Sequence, residues 1–208
     1  IGEAVASAIV GGTVSELTGG KFKNGAITGA FQNLFNQQSV KNAQKGIGAV
    51  PGYDEMGSNS WRASNDQAFI DAVDAYNAKH GLSPGDAGYW TPQRLKAQAM
   101  IESGGHKAAF LSDPLQVNVS GDWVPKKASL LGLTKGQAMT PATSAAAALE
   151  WMNYKGHVHN AAGAQVSYRG VFQALRRYNG NTRVYPKHPG VQHRDWYANQ
   201  VLSLESQM

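Results

Sequence analysis

A single glutamate stands where an apolar, alanine-rich stretch stops. Residues 95–106 read LKAQAMIESGGH, so Glu102 is followed at once by a serine and two glycines. If the stretch is helical, this carboxylate faces the negative end of the helix dipole, which costs up to about 1 kcal/mol. Screening from water by Met100 and its apolar neighbours would disfavour the ionised form further and raise the pKa. A carboxyl group that keeps its proton near neutral pH can serve as a general acid.

Residues 95–106 also fit a solvated surface glutamate that precedes a glycine turn. The helices that must position Glu102 are predicted from caps and periodicity. Ser64 and Gln67 have the spacing of a capping box, which predicts a helix over residues 65–80. Thr91 as cap and Pro92 at the first helical position predict the helix that ends near Glu102. Three more helices are predicted over residues 143–154, 168–178 and 195–204. No stretch alternates convincingly with a period of two, so the predicted fold class is mainly α.

The composition divides the chain into three parts. The 208 residues include 24 glycines, which are concentrated in the first third and indicate a boundary. Residues 1–36 are predicted to be a glycine-rich segment, residues 37–63 a linker, and residues 64–208 a helical domain. The first segment fits either a lead-in that packs on a neighbouring domain or a membrane-active segment. Ile1 is interpreted as an internal start, so the chain is expected to be a piece of a longer protein.

Charge and residue usage narrow the function classes. The chain contains no cysteine, which excludes disulfides, thiolate zinc sites and cysteine nucleophiles. The net charge of +5 favours polyanionic partners, a class that covers nucleic acid, anionic lipid and bacterial cell wall. No stretch approaches the roughly 18 uninterrupted apolar residues of a membrane-spanning helix.

Four short motifs follow one another within residues 64–204. They are Glu102-Ser103, Leu115-Gln116-Val117, TPATS at 140–144 and RYNG at 177–180. Their order resembles that of the lysozyme-like glycosidases that cut peptidoglycan, particularly the soluble lytic transglycosylases and their relatives with goose-type lysozyme. In those families a helix ends in Glu-Ser, then come a Gly-Leu-Met-Gln turn, an Asp-Pro-x-x-Asn-Ile helix start and an Ala-Tyr-Asn segment. The resemblance implies a lysozyme-like helical domain.

This chain also departs from the family pattern. Asp113-Pro114 replaces the usual Gly-Leu opening, and the spacing from Glu102 to Gln116 is short. Residues 156–170 look inserted. The substrate groove is therefore expected to differ from that of the family.

The resemblance also implies a mechanism and a set of site residues. One glutamate, here Glu102, acts as acid and then as base at the bond between N-acetylmuramic acid and N-acetylglucosamine, while the muramic acid's own hydroxyl closes an anhydro ring. A hydrolase would instead pair two carboxylates, about 5–5.5 Å apart for retention or about 6.5–9.5 Å for inversion. Asp113 and Asp122 are the available partners, although either also fits a turn. The expected substrate-binding residues are Ser103, Gln116, Tyr178 and Asn179, with the Tyr178 hydroxyl holding Glu102.

The first third of the chain has a resemblance of its own. Residues 11–31, GGTVSELTGGKFKNGAITGAF, look like the glycine-rich segment before the C-terminal toxin domains of Rhs-type polymorphic toxins. This implies an antibacterial effector, such as those delivered by type VI secretion, which is released from a carrier polypeptide. Its expected substrate is peptidoglycan in the periplasm of a target bacterium, and its expected partner is a cognate immunity protein.

Other kinds of site are less well supported by the sequence. His157 and His159 form an HxH pair, with His188 and His193 downstream, but no further ligand stands at convincing spacing, so neither a metal nor a cofactor is predicted. The pair Arg176-Arg177 suits nucleic acid, but paired acidic metal ligands are missing, so no nucleic-acid partner is predicted. A pore-former acting through residues 1–36 and a non-catalytic wall-binding module remain as alternatives.

Overall fold

A computed structural model describes residues 46–53 and 61–208. One compact unit spans Gly46–Met208 and contains all of them. The predicted glycine-rich segment 1–36 and most of the predicted linker lie outside the described residues.

The described part of the chain is mainly helical, which confirms the predicted fold class. It contains seven α-helices, one 3-10 turn at Ser120–Asp122 and one antiparallel hairpin. The helices are α1 (Asp66–His80), α2 (Pro92–Glu102), α3 (Lys107–Phe110), α4 (Pro125–Leu131), α5 (Pro141–Gly156), α6 (Val171–Asn179) and α7 (His193–Glu205). The strands are β1 (His157–His159) and β2 (Gln165–Tyr168), paired in the register His157 to Tyr168.

Five helices pack around the core in a closed ring. Going round it, α1 packs on α5, α5 on α6, α6 on α7, α7 on α2 and α2 on α1. Their inward faces bury large apolar side chains almost completely, and burial of this kind contributes about 1.5–3 kcal/mol for each such side chain. The largest of the ring's buried side chains include Phe69, Leu95, Leu149, Leu175 and Tyr197. The ring fixes the ends of α2, α5 and α6 relative to one another.

The five helices of the ring are the five that the sequence predicted, with some ends displaced. The second, α2, has the predicted bounds, and Thr91 caps it by accepting a hydrogen bond from Arg94 N at 3.2 Å. The fourth, α6, begins at Val171 rather than Tyr168, because residues 165–168 form strand β2. The short helices α3 and α4 and the hairpin were not predicted. Strand β2 is mostly exposed on both faces, so it lacks the alternation that would have revealed it.

The predicted capping box at Ser64 is wrong. The residue before α1 is Asn65, whose side chain makes no cap hydrogen bond and donates instead to Phe110 O at 2.6 Å. The Ser64 hydroxyl donates to Trp61 O at 2.5 Å. A capping box that was not predicted occurs at the start of α5, between Thr140 and Thr143.

The segment 46–53 is tied to the helical ring, although the sequence analysis assigned it to the linker. Lys96 Nζ is buried and lies 3.0 Å from Asp66 Oδ1, and it donates to Gly48 O at 2.6 Å. Ile47 N donates to Asp66 Oδ2 at 2.9 Å. The side chains of Ile47 and Val50 are buried in the core. The folded unit therefore starts earlier than residue 64.

Within the described ranges, no helix is long and apolar enough to cross a membrane. The longest is α5, with 16 residues. It carries cleft residues described below, and it ends at Gly156, against the ring of Tyr168.

Replacing Gly156 by alanine is expected to destabilise the fold. A Cβ at this glycine would lie 2.4 Å from Tyr168 Cε2 and 2.9 Å from Cζ, so the ring would have to move. We expect the free energy of unfolding to fall by about 1–3 kcal/mol, because overpacking outweighs the gain in helix propensity. Guanidinium unfolding measures this change.

The matched control is Gly121→Ala, because a Cβ at that glycine meets no atom within 4 Å. It should change stability by no more than about 0.5 kcal/mol. A Gly156→Ala variant more stable than the wild type would contradict the predicted clash.

Candidate active site

Glu102 is the last residue of α2, and its environment favours the protonated form. The pKa of Glu102 is raised to about 7, mainly by burial and also by the charges of Asp122 and Asp113. Tyr197 and Lys127 act in the opposite direction. The residue as a whole nevertheless keeps part of its surface accessible to solvent. This carboxyl group therefore has the property expected from its place at the end of an apolar helix.

The Ser-Gly-Gly sequence after Glu102 is a helix stop. Gly104 and Gly105 have φ values of 59° and 70°, which a side chain would make costly. Gly105 N donates to Met100 O at 3.1 Å and Gly104 N donates to Ile101 O at 3.2 Å, the bonds of a Schellman motif. Ser103 is buried, and its hydroxyl faces Met100 O at 3.5 Å. Ser103 was expected to bind substrate, but it lies at the helix cap and does not line the cleft described below.

Two tyrosines lie beside Glu102, and their roles differ from the predicted one. The Tyr178 hydroxyl donates to Leu115 O at 2.6 Å, so it does not hold Glu102 as the sequence suggested. Glu102 is nevertheless close, because its charge adds to burial in raising the pKa of Tyr178. Tyr197, on α7, is the tyrosine that lowers the pKa of Glu102. Its buried hydroxyl makes no hydrogen bond of normal geometry within the described residues.

Asp113 organises the turn that carries Gln116. Asp113 Oδ1 accepts hydrogen bonds from Val117 N at 3.1 Å and Ser144 Oγ at 2.5 Å, and Oδ2 accepts one from Asn118 N at 2.9 Å. Gln116 has a φ of 53°, and its Nε2 donates to Asp113 O at 2.6 Å. Both side chains are used inside the turn, and neither lines the cleft described below.

Asp122 differs from Asp113 in its exposure. Its side chain is 76% exposed, whereas that of its partner Lys127 is 1% exposed, with the charged atoms 3.2 Å apart. Lys127 Nζ also donates to Val117 O at 2.9 Å and Asp122 O at 3.1 Å. Of the two predicted second carboxylates, Asp122 is the one that ligands can reach.

A cleft of about 320 Å³ lies at the ends of α5 and α6. Tyr178 and Asn179, two of the residues expected to bind substrate, line it, and Asp122 lines it as well. Glu102 is not among the lining residues, but it is electrostatically coupled to Asp122 and Tyr178, which are. The other lining residues are Val124, Trp151, Lys155, Arg177, Gly180 and Asn181.

The sequence analysis missed two cleft residues on α5. Trp151 and Lys155 lie one helical turn apart, and Lys155 Nζ stands 4.9 Å from the centre of the Trp151 ring. Their spacing puts both on one helix face, but an aromatic residue at helical spacing usually belongs to the core. Trp151 was therefore hard to separate from the core tryptophans by spacing alone.

The histidines do not converge on a metal site in the described part of the chain. His157 Nδ1 lies 2.7 Å from Asn153 O, and its ring contacts that of Tyr168. His159 packs on Tyr154 instead. No group of three or more potential metal ligands occurs within residues 46–53 and 61–208.

The arrangement combines a proton donor, an adjacent cleft, and cationic and aromatic side chains at that cleft. Such a set can protonate a leaving oxygen while it holds a polar, negatively charged ligand. No protein-family model, curated protein or solved structure matches this chain. The geometry and the sequence motifs are therefore the basis for a functional proposal.

Substituting Asp113 tests its role in the turn. Asp113→Ala removes the acceptor for three hydrogen bonds, including those of the buried residues Val117 and Asn118. We expect the free energy of unfolding to fall by about 2–3 kcal/mol, because buried donors lose a charged acceptor. Asp86→Ala is the control, since Asp86 is exposed and accepts a hydrogen bond from Ser83 N at 2.7 Å. Urea unfolding should show the larger loss for Asp113; equal losses would contradict this role.

The raised pKa of Glu102 predicts a stability change that depends on pH. Between pH 4.5 and about 7, the folded protein keeps this proton while the unfolded chain has lost it, so stability falls as pH rises. Glu102→Gln removes the cost of the buried charge. We expect this variant to be more stable than the wild type by about 2–3 kcal/mol at pH 8, with no such gain at pH 4.

Glu150→Gln is a control of opposite sign. Its ion pairs with Lys79 and His80 lower the pKa of Glu150 despite its burial, so this carboxylate stabilises the folded state above the unfolded-state pKa. The variant should be less stable than the wild type at pH 8, and the difference should shrink as pH falls through the acidic range. Chemical unfolding at several pH values measures both effects. A Glu102→Gln variant with no gain at pH 8 would mean that the carboxyl group is solvated.

Proposed function

We propose that this chain is a lysozyme-like enzyme that cleaves the glycan strands of peptidoglycan between N-acetylmuramic acid and N-acetylglucosamine. We further propose that it acts as a lytic transglycosylase. The observation that carries the proposal is a carboxyl group with a pKa of about 7, at the end of a buried helix and coupled to a basic, aromatic cleft. The ordered motifs support it, with Tyr178 and Asn179 both at the cleft.

The proposed chemistry needs one carboxyl group in two protonation states. Glu102 donates its proton to the glycosidic oxygen as the bond to the muramic acid C1 breaks. The resulting carboxylate then takes the proton of the muramic acid C6 hydroxyl, whose oxygen attacks C1 and closes a 1,6-anhydro ring. The substrate supplies the nucleophile, so the reaction consumes no water and needs no second carboxylate.

The alternative is a hydrolase, and it now depends on Asp122. The carboxylate of Asp113 already accepts three hydrogen bonds, which argues against a role as base or nucleophile. Asp122 is exposed at the cleft but is paired with Lys127. Of the two outcomes, we favour the one that needs Glu102 alone.

The biological setting is a second part of the proposal. The likeness of residues 11–31 to pre-toxin segments supports an antibacterial effector released from a carrier polypeptide. It would act in the periplasm of a target bacterium, and a cognate immunity protein would protect the producing cell. A membrane-permeabilising activity of residues 1–36 predicts dye leakage from liposomes that survives Glu102→Gln.

Mass spectrometry of fragments released from purified peptidoglycan tests the proposal directly. The wild-type chain should release products that end in an anhydro ring. Glu102→Gln should reduce kcat/KM by about 100- to 10,000-fold, because it removes general acid and base catalysis. Asp122→Asn is the discriminating control and should retain anhydro products.

Other product patterns would change the conclusion. Reducing-end products that are lost in Asp122→Asn would establish hydrolysis with a second carboxylate. An enzyme that needs protonated Glu102 should lose kcat/KM as pH rises through about 7, and Asp122→Asn should move this limb to lower pH because it removes a charge that raises the pKa of Glu102. Wild-type protein that binds the wall but releases no fragments would leave a wall-binding module and overturn the enzyme proposal.

A further inference from the structure

Two cations at the cleft form no ion pair within the part of the chain that the structure describes. Lys127 is paired with Asp122. Lys155 and Arg177 also line the cleft, but within the described ranges the side chain of neither forms a hydrogen bond or an ion pair. Unpaired cations on an open surface are ordinary, but two that line one concave site beside an aromatic ring are typical of a ligand-binding site.

The Lys155 ammonium group is held in the cleft rather than free in solvent. The residue is half-buried, and its Nζ lies over the ring of Trp151, whose other cationic neighbour is Lys127 Nζ at 5.6 Å. Burial is the main cause that lowers the pKa of Lys155; the charge of Asp122 acts in the opposite direction, and the charges of Lys127 and Arg177 lower the pKa further. An anion bound at this point would relieve the repulsion among the three cations.

Arg177 lies among further like charges. The residue is exposed, but its slight burial lowers its pKa, and so do the charges of Arg169, Arg176 and Arg194. Arg176 is paired with Asp195, but Arg177 keeps a free guanidinium group, whose fork matches the two oxygens of a carboxylate. The cleft therefore presents a planar donor and a point charge to the same ligand.

The neighbouring amides can complete such a site. Asn179 Oδ1 accepts hydrogen bonds from Asn181 N and from the ring of His193, both at 3.2 Å. Asn181 Oδ1 accepts one from Arg183 N at 3.0 Å. These bonds use the amide oxygens and fix the side chains, whereas the amide nitrogens have no protein acceptor within the described residues. Two oriented NH2 groups, each with two N–H donors, thus remain beside the two cations.

We propose that Lys155 and Arg177 form a carboxylate-binding subsite that selects acidic saccharides, with Trp151 beside it and Asn179 and Asn181 as further donors. This inference rests on the proposed function, because it names the substrate class of the same cleft. A carboxylate is the anion that the proposed substrate carries, and its two oxygens match the planar donor fork of Arg177. The carboxylate can come from the lactyl group of the sugar or from an attached peptide.

Calorimetric titration of the full chain carrying Glu102→Gln tests the subsite without turnover. Three ligands of equal glycan length are compared: neutral chitotetraose, a peptide-free peptidoglycan tetrasaccharide with lactyl carboxylates, and the same tetrasaccharide with its peptides. A carboxylate-bearing ligand should bind about tenfold or more tightly than chitotetraose, because charge-assisted hydrogen bonds are strong. The tighter of the two acidic ligands identifies the source of the carboxylate.

Substitutions connect the preference to the two cations. Lys155→Gln with Arg177→Gln should weaken binding of the acidic ligands by about tenfold or more and so abolish their preference over chitotetraose. Lys155→Arg keeps the charge and should retain the preference. The matched control is Lys135→Gln with Lys187→Gln, which removes the same charge at exposed residues outside the cleft and should also retain it.

Several results would overturn the inference. These are equal affinity for neutral and acidic ligands, a preference that survives in the Lys155 and Arg177 double variant, an equal loss in the control variant, and no binding of any glycan. The inference and the enzyme proposal can fail separately. If the wild-type chain cleaves peptidoglycan but shows no carboxylate preference, the enzyme proposal stands and the subsite proposal fails. If it shows the preference but does not cleave, the subsite proposal stands and the enzyme proposal fails.

Discussion

The central constraint of this structure is the cost of burying an ionisable carboxyl group at the end of a helix. Glu102 can keep its proton near pH 7 only because α2 stops at this residue and the helical ring closes around it. Helix α7 packs on α2 and places Tyr197 against Glu102. The helix stop and the packing of α2 on α7 are therefore as important to the site as the carboxyl group itself.

Three carboxylates near the site show how environment separates the roles of similar groups. Glu102 is buried with little hydrogen bonding and favours its proton. Asp113 is held by two backbone donors and a serine hydroxyl, which stabilise a turn. Asp122 is in solvent, where it balances the buried Lys127. The negative charges of both aspartates still reach Glu102, so the turn and the 3-10 segment contribute to its proton affinity.

The sequence was sufficient for local features and insufficient for contacts across the ring. The five ring helices and the helix stop after Glu102 follow from caps, glycines and periodicity over a few residues. The hydroxyl that lies against Glu102 belongs to Tyr197, far along the chain, and nothing in the local sequence distinguishes it from Tyr178. Ser103 and Gln116 were expected to bind substrate, but the structure shows that each contacts the backbone of its own turn. The hairpin was missed because both faces of β2 are exposed.

The buried pair of Asp66 and Lys96 also has an evolutionary consequence. Loss of either partner leaves an uncompensated charge in the core, at a cost of about 3–5 kcal/mol, whereas joint replacement by apolar residues can be nearly neutral. These two sites should therefore covary among any homologues, with few viable single-step intermediates between a charged and an apolar pair. Lys96 also serves the carbonyl of Gly48, which no substitution can remove, so an apolar replacement at this site must leave that oxygen unpaired or rebuild the chain around it.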